Sequence, residues 1–233
     1  MRVLAFGAHP DDSVLLCGGT LAKYARAGDQ VFMAVLCNGD CLRRELSGEE
    51  ATRVLRQELD ESARMIGATT YLMGSPDLEL EDNPAARSWV IQVLREVDPS
   101  VVLTHDPGDY TADHRVTTAV VDRCVMAAGE PKIKTGAPPR TTPVLVLYME
   151  TMSGLGFAPE EFVDITEVFS TKREMMQCHK SFVLPLQGHP VVDVMEWIEA
   201  SARFRGIQAG VRYAEAFRRA PQWARMETQR WLP

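Results

Sequence analysis

The sequence lacks the features that mark secreted or membrane-spanning proteins. Its five cysteines are an odd number without Cys-x-x-Cys spacing, which argues against a disulfide framework or a structural zinc knuckle. No run of 18 uninterrupted apolar residues is present, and no charged segment with an apolar stretch precedes the first strand-like residues. We therefore predict a cytoplasmic protein without a membrane-spanning segment.

The charged residues give no sign of a polyanionic partner. The formal net charge is −7, from 25 basic and 32 acidic residues, and like charges form no block of five or six. A face that binds nucleic acid or an anionic membrane needs clustered positive charge. We predict a small molecule as the partner, with neither nucleic acid nor membrane, and the sequence leaves the oligomeric state open.

Internal repeats, low-complexity tracts and shifts in composition are also missing, so nothing divides the chain. With 45% hydrophobic residues, 233 residues are enough to bury the core of one large domain. We therefore expect a single domain over residues 1–233.

Short apolar runs alternate with amphipathic segments through the first half of the chain. The predicted strands are 2–8, 31–36, 69–73 and 100–104, and the predicted helices are 15–26, 49–66, 84–97 and 112–128. Such alternation favours an α/β fold with parallel strands and helices on both faces of the sheet.

The second half is less regular. Residues 130–142 are rich in Pro, Gly and Lys, and we expect them to form a mobile connection near the site. Strands are predicted at 144–148 and 162–165, and helices at 167–179 and 191–204. The aromatic residues Trp197, Trp223 and Trp231 are interpreted as packing residues.

Polar residues that can bind metal follow the first and the fourth predicted strands. His9-Pro-Asp-Asp follows the first strand, and the segment from His105 to His114 follows the fourth. Ligands of open α/β sheets bind at the carboxyl ends of the strands. If these two strands are neighbours, both loops open at the same edge of the sheet.

Three of these residues fit the ligand set of a catalytic zinc. Such a site takes three imidazole or carboxylate ligands and leaves one position for water. His9, Asp12 and His114 supply two nitrogens and one oxygen, and Asp11 is placed to take a proton from the water. Two histidines and a carboxylate also suit Fe²⁺, although a hydrolytic site favours zinc. Spacing alone leaves other combinations of ligands open.

A purely structural interpretation of the same residues exists. Asp12 or Ser13 can cap the helix that follows the first strand, and Asp113 can cap or complement the dipole of the helix after the fourth. A lone Asp-Asp pair favours capping. Histidine and aspartate together in both loops favour a metal.

The two loops resemble the motifs of the PIG-L/LmbE-type N-acetylglucosaminyl deacetylases. The family's first motif is similar to Ala8-His-Pro-Asp-Asp-Ser13, and its later motif, His-Pro-Asp-His, is similar to Thr111-Ala-Asp-His114. Weaker matches in the same order extend over nearly the whole chain, at Arg56-Gln-Glu58, Phe162-Val-Asp-Ile-Thr166, His179-Lys-Ser181 and Tyr213-Ala-Glu-Ala-Phe217.

The resemblance implies a Rossmann-like, mostly parallel sheet in an α/β/α sandwich. It also implies that His9, Asp12 and His114 are metal ligands, with Zn²⁺ as the cofactor, and that Asp11 is the general base. The activity it implies is removal of an N-acetyl group from an amino-sugar conjugate or a related small-molecule amide.

Two positions depart from the family pattern. Ser13 stands where the family has a glutamate, and Thr111 stands where it has the first histidine of the later motif. The missing imidazole would pair with Asp113, the second catalytic candidate, and loss of such a group costs about 10²–10⁴ in rate. His105 and Tyr110, in the same loop, are alternative donors.

Other residues are weaker candidates for contact with substrate. Arg56 is expected to pair with Asp60 one helical turn away, although the resemblance allows it a substrate role; His179 and His189 are minor candidates. The sequence also leaves open a weakened family member that acts as a binding or accessory protein, and a metal amidase for a non-sugar amide in specialised metabolism.

Overall fold

Seven strands form one sheet in the computed structural model, which describes residues 1–43, 45–221 and 232–233. Trp223 and Trp231, which the sequence assigns to packing, lie outside the described residues. The strands are β1 Arg2–Gly7, β2 Gln30–Cys37, β3 Thr69–Ser75, β4 Val101–Thr104, β5 Leu145–Met149, β6 Glu161–Asp164 and β7 Ala214–Arg219. The helices are α1 Asp12–Arg26, α2 Gly48–Arg64, α3 Pro84–Val97, α4 Ala112–Ala127, α5 Phe169–Cys178, α6 Lys180–Leu186 and α7 Val194–Ala209.

The strand order is β3-β2-β1-β4-β5-β7-β6, and the first five strands in the chain pair in parallel. The predicted α/β class, with its Rossmann-like and mostly parallel sheet, is thus confirmed. The chain moves from β1 to β2 on one side and returns to β4 on the other side of β1. The ends of β1 and β4 therefore flank the point at which strand order reverses, where such sheets bind their ligands.

Alternation along β1 explains why helices cover both faces of the sheet. Val3 and Ala5 point into a core formed with α1, α2, α5 and α7, whereas Leu4 and Phe6 point into a second core formed with α3 and α4. All four side chains are fully buried. A strand buried on both faces has the continuous apolar pattern from which the sequence predicted it.

The far edge of the sheet contains a strand that the sequence analysis missed. β7 lies between β5 and β6 and runs antiparallel to both. Its sequence, Ala-Glu-Ala-Phe-Arg-Arg, has one large apolar residue and gives little strand signal. Glu215 in this strand is buried, and it accepts hydrogen bonds from Gly19 N, Thr20 N and Lys172 Nζ.

Helix α1 packs so closely against Ile165 that one position of the helix must be glycine. A Cβ added at Gly19 would lie 2.8 Å from Cγ2 of Ile165, far inside normal contact. The backbone amide of Gly19 meanwhile donates to Glu215 at 2.9 Å. Gly19 thus allows α1 to pack closely against Ile165, which follows β6, and against Glu215 of β7.

Several boundaries differ from the sequence-based prediction. α1 begins at Asp12 instead of residue 15, so Asp11 is the N-cap residue and the last aspartate of the first motif is the first residue of the helix. The predicted helix over 191–204 begins later because Asp193 caps it through Met195 N, and it extends until Gly210 adopts a left-handed conformation. α6, which contains Pro185, was not predicted.

The predicted position of residues 130–142 is wrong. Arg95 of α3 donates hydrogen bonds to the carbonyls of Ala128, Glu130 and Ile133, which fixes this segment beside α3 and α4. Its last residue, Thr142, donates a hydrogen bond to Asp98, which lies three residues before the start of β4. The segment therefore lies at the amino ends of the strands, opposite to the edge that carries the motifs.

Among the described residues, no helix is both long and apolar enough to cross a bilayer.

Candidate functional site

The loops after β1 and β4 bring the three predicted ligands together. Nδ1 of His9 lies 3.4 Å from Oδ2 of Asp12, and Nε2 of His114 lies 3.3 Å from Oδ1 of Asp12. One ligand atom from each residue lies within 4.8 Å of the other two. Asp12 and His114 are buried, whereas 19% of the His9 side chain is exposed, so the cluster opens towards solvent at His9.

Each of the two histidines has a second carboxylate on its other nitrogen. Nε2 of His9 lies 3.2 Å from Oδ2 of Asp113, and this oxygen also accepts the backbone N–H of Leu78 at 2.9 Å. Nδ1 of His114 lies 3.3 Å from Oδ2 of Asp109. Such carboxylates orient histidines that bind metal and raise their basicity.

Asp109 is itself held by two backbone amides. Thr111 N donates to Oδ1 at 2.8 Å, and Met152 N donates to Oδ2 at 2.9 Å. These bonds fix the β4–α4 loop against the segment after β5. They also help to keep the pKa of Asp109 low, at about 2: burial opposes the shift, and the contact with His114 and the amide bonds outweigh burial.

Asp11 lies beside the cluster without a partner for one of its oxygens. It is 5% exposed, and Oδ1 has no hydrogen bond to any described residue. Burial, followed by the charge of Asp12, raises the pKa of its carboxyl group. A buried carboxylate oxygen with no donor is costly, which is why such groups usually mark a ligand position or a catalytic role.

The structure contradicts side-chain capping by these carboxylates, although Asp12 and Asp113 lie in the first turns of α1 and α4, where their negative charge complements the helix dipole. Asp11 occupies the N-cap position of α1, and its side chain makes no cap hydrogen bond. Asp12 accepts the N–H of His9, which precedes the helix. Asp113 binds Leu78 N instead of an amide of α4. The acidic residues therefore bind across the two loops and do not close the helix ends.

The two loop residues proposed as alternative donors lie in different surroundings. His105 is fully buried; its Nε2 accepts the N–H of Ala8 at 2.9 Å, and its ring stacks on His114 with centroids 3.8 Å apart. Burial, followed by the charge of His114, lowers the pKa of His105 to about 4. His105 is thus a neutral support beneath the cluster, whereas Tyr110 is 64% exposed.

The two positions that depart from the family motifs leave free hydroxyl groups. Thr111 is the N-cap residue of α4, and its side chain makes no cap hydrogen bond. Ser13 is fully buried in the first turn of α1, and its Oγ has no partner among the described residues.

The weaker candidates lie outside the ligand cluster. Arg56 pairs with Asp60 at 3.0 Å, as its helical spacing predicts, and it also approaches Thr70. His179 is buried, with Nε2 3.1 Å from Oγ of Ser62. His189 accepts the amides of Val191 and Val192 with Nδ1. None of these contacts reaches the three ligands.

The sequence analysis missed Asp77, which follows β3. Its Oδ1 lies 4.0 Å from Nε2 of His9, and the residue can form a second metal-binding group with His9 and Cys37. The carboxylate accepts the amides of Gly39 and Cys41. A signal was present, because Asp77 comes directly after the third strand, but no motif singled it out.

The carboxylates around the cluster favour positive charge at its centre. Burial lowers the pKa of His9, but contacts with Asp113 and Asp12 outweigh it and raise the pKa to about 11. The same balance, with Asp12 and Asp109 against burial, raises the pKa of His114 to about 9. The negative charge of these carboxylates stabilises a bound cation in the same way as a protonated imidazole, so the cluster has the electrostatics of a cation site.

Two known deacetylases resemble this chain over most of its length. A diacetylchitobiose deacetylase of Thermococcus kodakarensis is 28% identical over 231 residues, which cover 94% of this chain and 83% of that protein. The solved structure of an N,N'-diacetylchitobiose deacetylase from Pyrococcus horikoshii superposes with a TM-score of 0.82 at 28% identity, with the same coverage.

The fold itself is shared more widely than deacetylation. A 4-carboxy-2-hydroxymuconate hydratase from Pseudomonas putida has a TM-score of 0.83 at 23% identity, over 98% of this chain and all of the other. Fold alone therefore does not decide the reaction. The model of the PIG-L family, described as GlcNAc-PI de-N-acetylase, matches residues 4–125, which contain both motif loops. This chain belongs to the PIG-L family.

Proposed function

We propose that the protein is a zinc-dependent hydrolase that removes an N-acetyl group from an amino-sugar conjugate or a related small-molecule amide. The observation that supports this most is the convergence of His9, Asp12 and His114 beside the unpartnered carboxylate of Asp11. We further propose that residues 1–233 act as one domain, since both motif loops belong to one continuous sheet.

The donor set fits a divalent cation. Two imidazoles and one carboxylate are the ligands of many hydrolytic zinc sites, and the surrounding carboxylates stabilise positive charge at this position. His9, Asp12 and His114 would hold the ion. When bound, zinc supplies Lewis acidity, since it polarises an amide carbonyl and lowers the pKa of water to about 7.

The protein's own residues then transfer the proton of the attacking water and hold the two histidines in position. Asp11 accepts the proton of the attacking water through its free Oδ1 and returns it to the amine as the C–N bond breaks. Asp113 and Asp109 keep the two imidazoles oriented, and the ring of His105 stacks against that of His114. Asp113 therefore acts on His9 in this chain, where no imidazole stands at position 111.

Relatives indicate the kind of substrate. The proteins from Thermococcus and Pyrococcus are described as deacetylases of diacetylchitobiose, an N-acetylated amino sugar, and the family is described by a GlcNAc-linked substrate. Their 28% identity extends over 94% of this chain. An N-acetylated amino sugar is therefore the first substrate class to test.

The test measures release of free amine and acetate by the zinc-loaded protein. The substrates are N-acetylglucosamine, diacetylchitobiose and a matched set of N-acetylated non-sugar amines. We expect hydrolysis of at least one amino-sugar amide, its loss in His114→Ala, and its retention in Lys132→Ala, which changes an exposed residue at the opposite edge of the sheet.

Two results would contradict the proposal. Hydrolysis restricted to non-sugar amides would make the protein a metal amidase of another substrate class. Binding of sugar amides by the zinc-loaded protein, with no product at any pH tested, would make it a binding protein that retains the ligands.

A further inference from the structure

A cleft with apolar walls begins at Tyr110 in the β4–α4 loop, which leads into the helix that carries His114. Its volume is about 700 Å³, within the range of pockets that bind small molecules. Tyr110 and Met152 form the end nearest to the ligand cluster, and Phe182, Val192, Trp197 and Phe204 contribute to the walls. α6, α7 and the segment before α7 thus face the β4–α4 loop across the cleft.

The cleft is connected to the ligand cluster through one residue. Met152, in its wall, donates its backbone N–H to Oδ2 of Asp109, and the same oxygen lies 3.3 Å from Nδ1 of His114. Tyr110, also in the wall, is the next residue after Asp109. The cleft therefore adjoins the ligand cluster on the side of His114 that faces Asp109.

Large apolar side chains are unusually exposed along this cleft. Tyr110 is 64% exposed, Val191 is 83% exposed and Phe204 is 55% exposed, and all three belong to its lining. A contiguous apolar surface of this kind on a soluble domain marks a binding site. An amino sugar alone, whose ring carries hydroxyl groups around its edge, would leave part of these apolar walls in contact with water.

The charges along the cleft favour the amine half of an amide substrate over its acyl half. Its charged lining residues are Glu150, Asp193, Glu196 and Arg205, and Arg205 is neutralised by its ion pair with Glu150. The remaining charge is negative. Hydrolysis of an amide gives a carboxylate from the acyl half and an ammonium ion from the amine half, so this lining repels the former and accommodates the latter.

We infer that this cleft binds an apolar alkyl or aryl substituent attached to the amine half of the substrate. The inference rests on the proposed function, and it narrows the substrate class to N-acetylated amines with such a substituent, such as an amino sugar with an apolar aglycone. Burial of one methylene group contributes enough free energy for about a three- to fourfold gain in affinity.

The kinetic test compares two matched series of amides. In alkyl glycosides of N-acetylglucosamine, lengthening the alkyl group from methyl to hexyl should raise kcat/KM by about threefold to fourfold per methylene until the cleft is filled. Lengthening the acyl group of methyl N-acylglucosaminides should give no such gain. A gain in the acyl series alone, or in neither series, would overturn the inference.

Two variants of helix α7 locate the effect. Phe204→Ala removes an exposed wall of the cleft and should reduce the gain from hexyl over methyl at least tenfold. Ile207→Ala is the matched control, since Ile207 is 70% exposed on the same helix and does not line the cleft. Equal loss in both variants would contradict the assignment.

A binding measurement separates this inference from the proposed reaction. Calorimetry with hexyl and methyl 2-amino-2-deoxyglucoside, the free amines, needs no catalysis, and the tighter binding of the hexyl compound should fall at least tenfold in Phe204→Ala. Equal binding of the two amines would overturn the inference even if N-acetyl sugars are hydrolysed. Ultracentrifugation tests the competing occupant, because a dimer dissociated by Phe204→Asp and not by Ile207→Asp would assign the cleft to a second copy of the chain.

Discussion

Substitution of Asp109 by asparagine tests whether the carboxylates behind the histidines support metal binding. Both oxygens of Asp109 accept backbone amides, and one of them also faces His114 at 3.3 Å. An asparagine retains one acceptor and presents an NH₂ group to one of those donors, so one contact is lost in either orientation. His114 also loses the negative charge that raises its basicity.

The expected loss follows from the role of such carboxylates. Removal of a carboxylate that orients a metal-binding histidine costs about 10- to 100-fold in metal affinity, or about 1.4–2.8 kcal/mol. Competition between the protein and a zinc chelator measures this affinity directly, without any assumption about the substrate. We expect Asp109→Asn to bind zinc 10- to 100-fold more weakly than the unaltered protein.

Asp106→Asn is the matched control for this experiment. Asp106 is a buried aspartate in the same loop, it accepts the amide of Gly108, and it pairs with Arg218 instead of a histidine. Its substitution should leave zinc affinity within about twofold, whatever it does to thermal stability. Zinc affinity that is equal in the two variants, with both proteins folded, would refute the positioning role of Asp109.

Three further predictions concern the general base Asp11, the position Thr111 that differs from the family motif, and the buried ion pair of Glu215 with Lys172. Asp11→Asn should lower kcat by about 10²–10⁴ while zinc content stays stoichiometric, and a variant that keeps its rate would exclude Asp11 as the base. Thr111→His should raise kcat at least tenfold, because the added imidazole would be a second proton donor to the leaving amine beside Asp11, and an unchanged rate would show that Asp11 alone serves the amine. Glu215→Gln should lower the free energy of unfolding by about 3–5 kcal/mol, since it leaves the buried ammonium of Lys172 uncompensated, and a loss below 1 kcal/mol in urea denaturation would contradict this.

The sequence predicted the parallel half of the fold and the residues of the ligand cluster for physical reasons. Strands such as β1, buried on both faces, have continuous apolar runs, and the motif residues come directly after β1 and β4. The polar edge of the sheet was less predictable. β7 has the pattern Ala-Glu-Ala-Phe, in which the glutamate is buried only because Lys172 and two amides of α1 surround it.

Contacts between loops were beyond the reach of pattern analysis. Asp113 is bonded to His9 and Leu78, residues 104 and 35 positions away in the chain, so its partner could not be inferred from its own helix. The predicted position of residues 130–142 was wrong for a related reason. Their composition indicated a loop, but only the hydrogen bonds from Arg95 show at which end of the sheet that loop lies.

The most direct test of the account is zinc content measured together with amide hydrolysis, after chelation and after zinc is restored. The account predicts one zinc per chain, loss of both zinc and hydrolysis on chelation, recovery of both on addition of zinc, and no stoichiometric zinc in His9→Ala or His114→Ala. Hydrolysis that persists without a metal, or full zinc binding in both histidine variants, would contradict it.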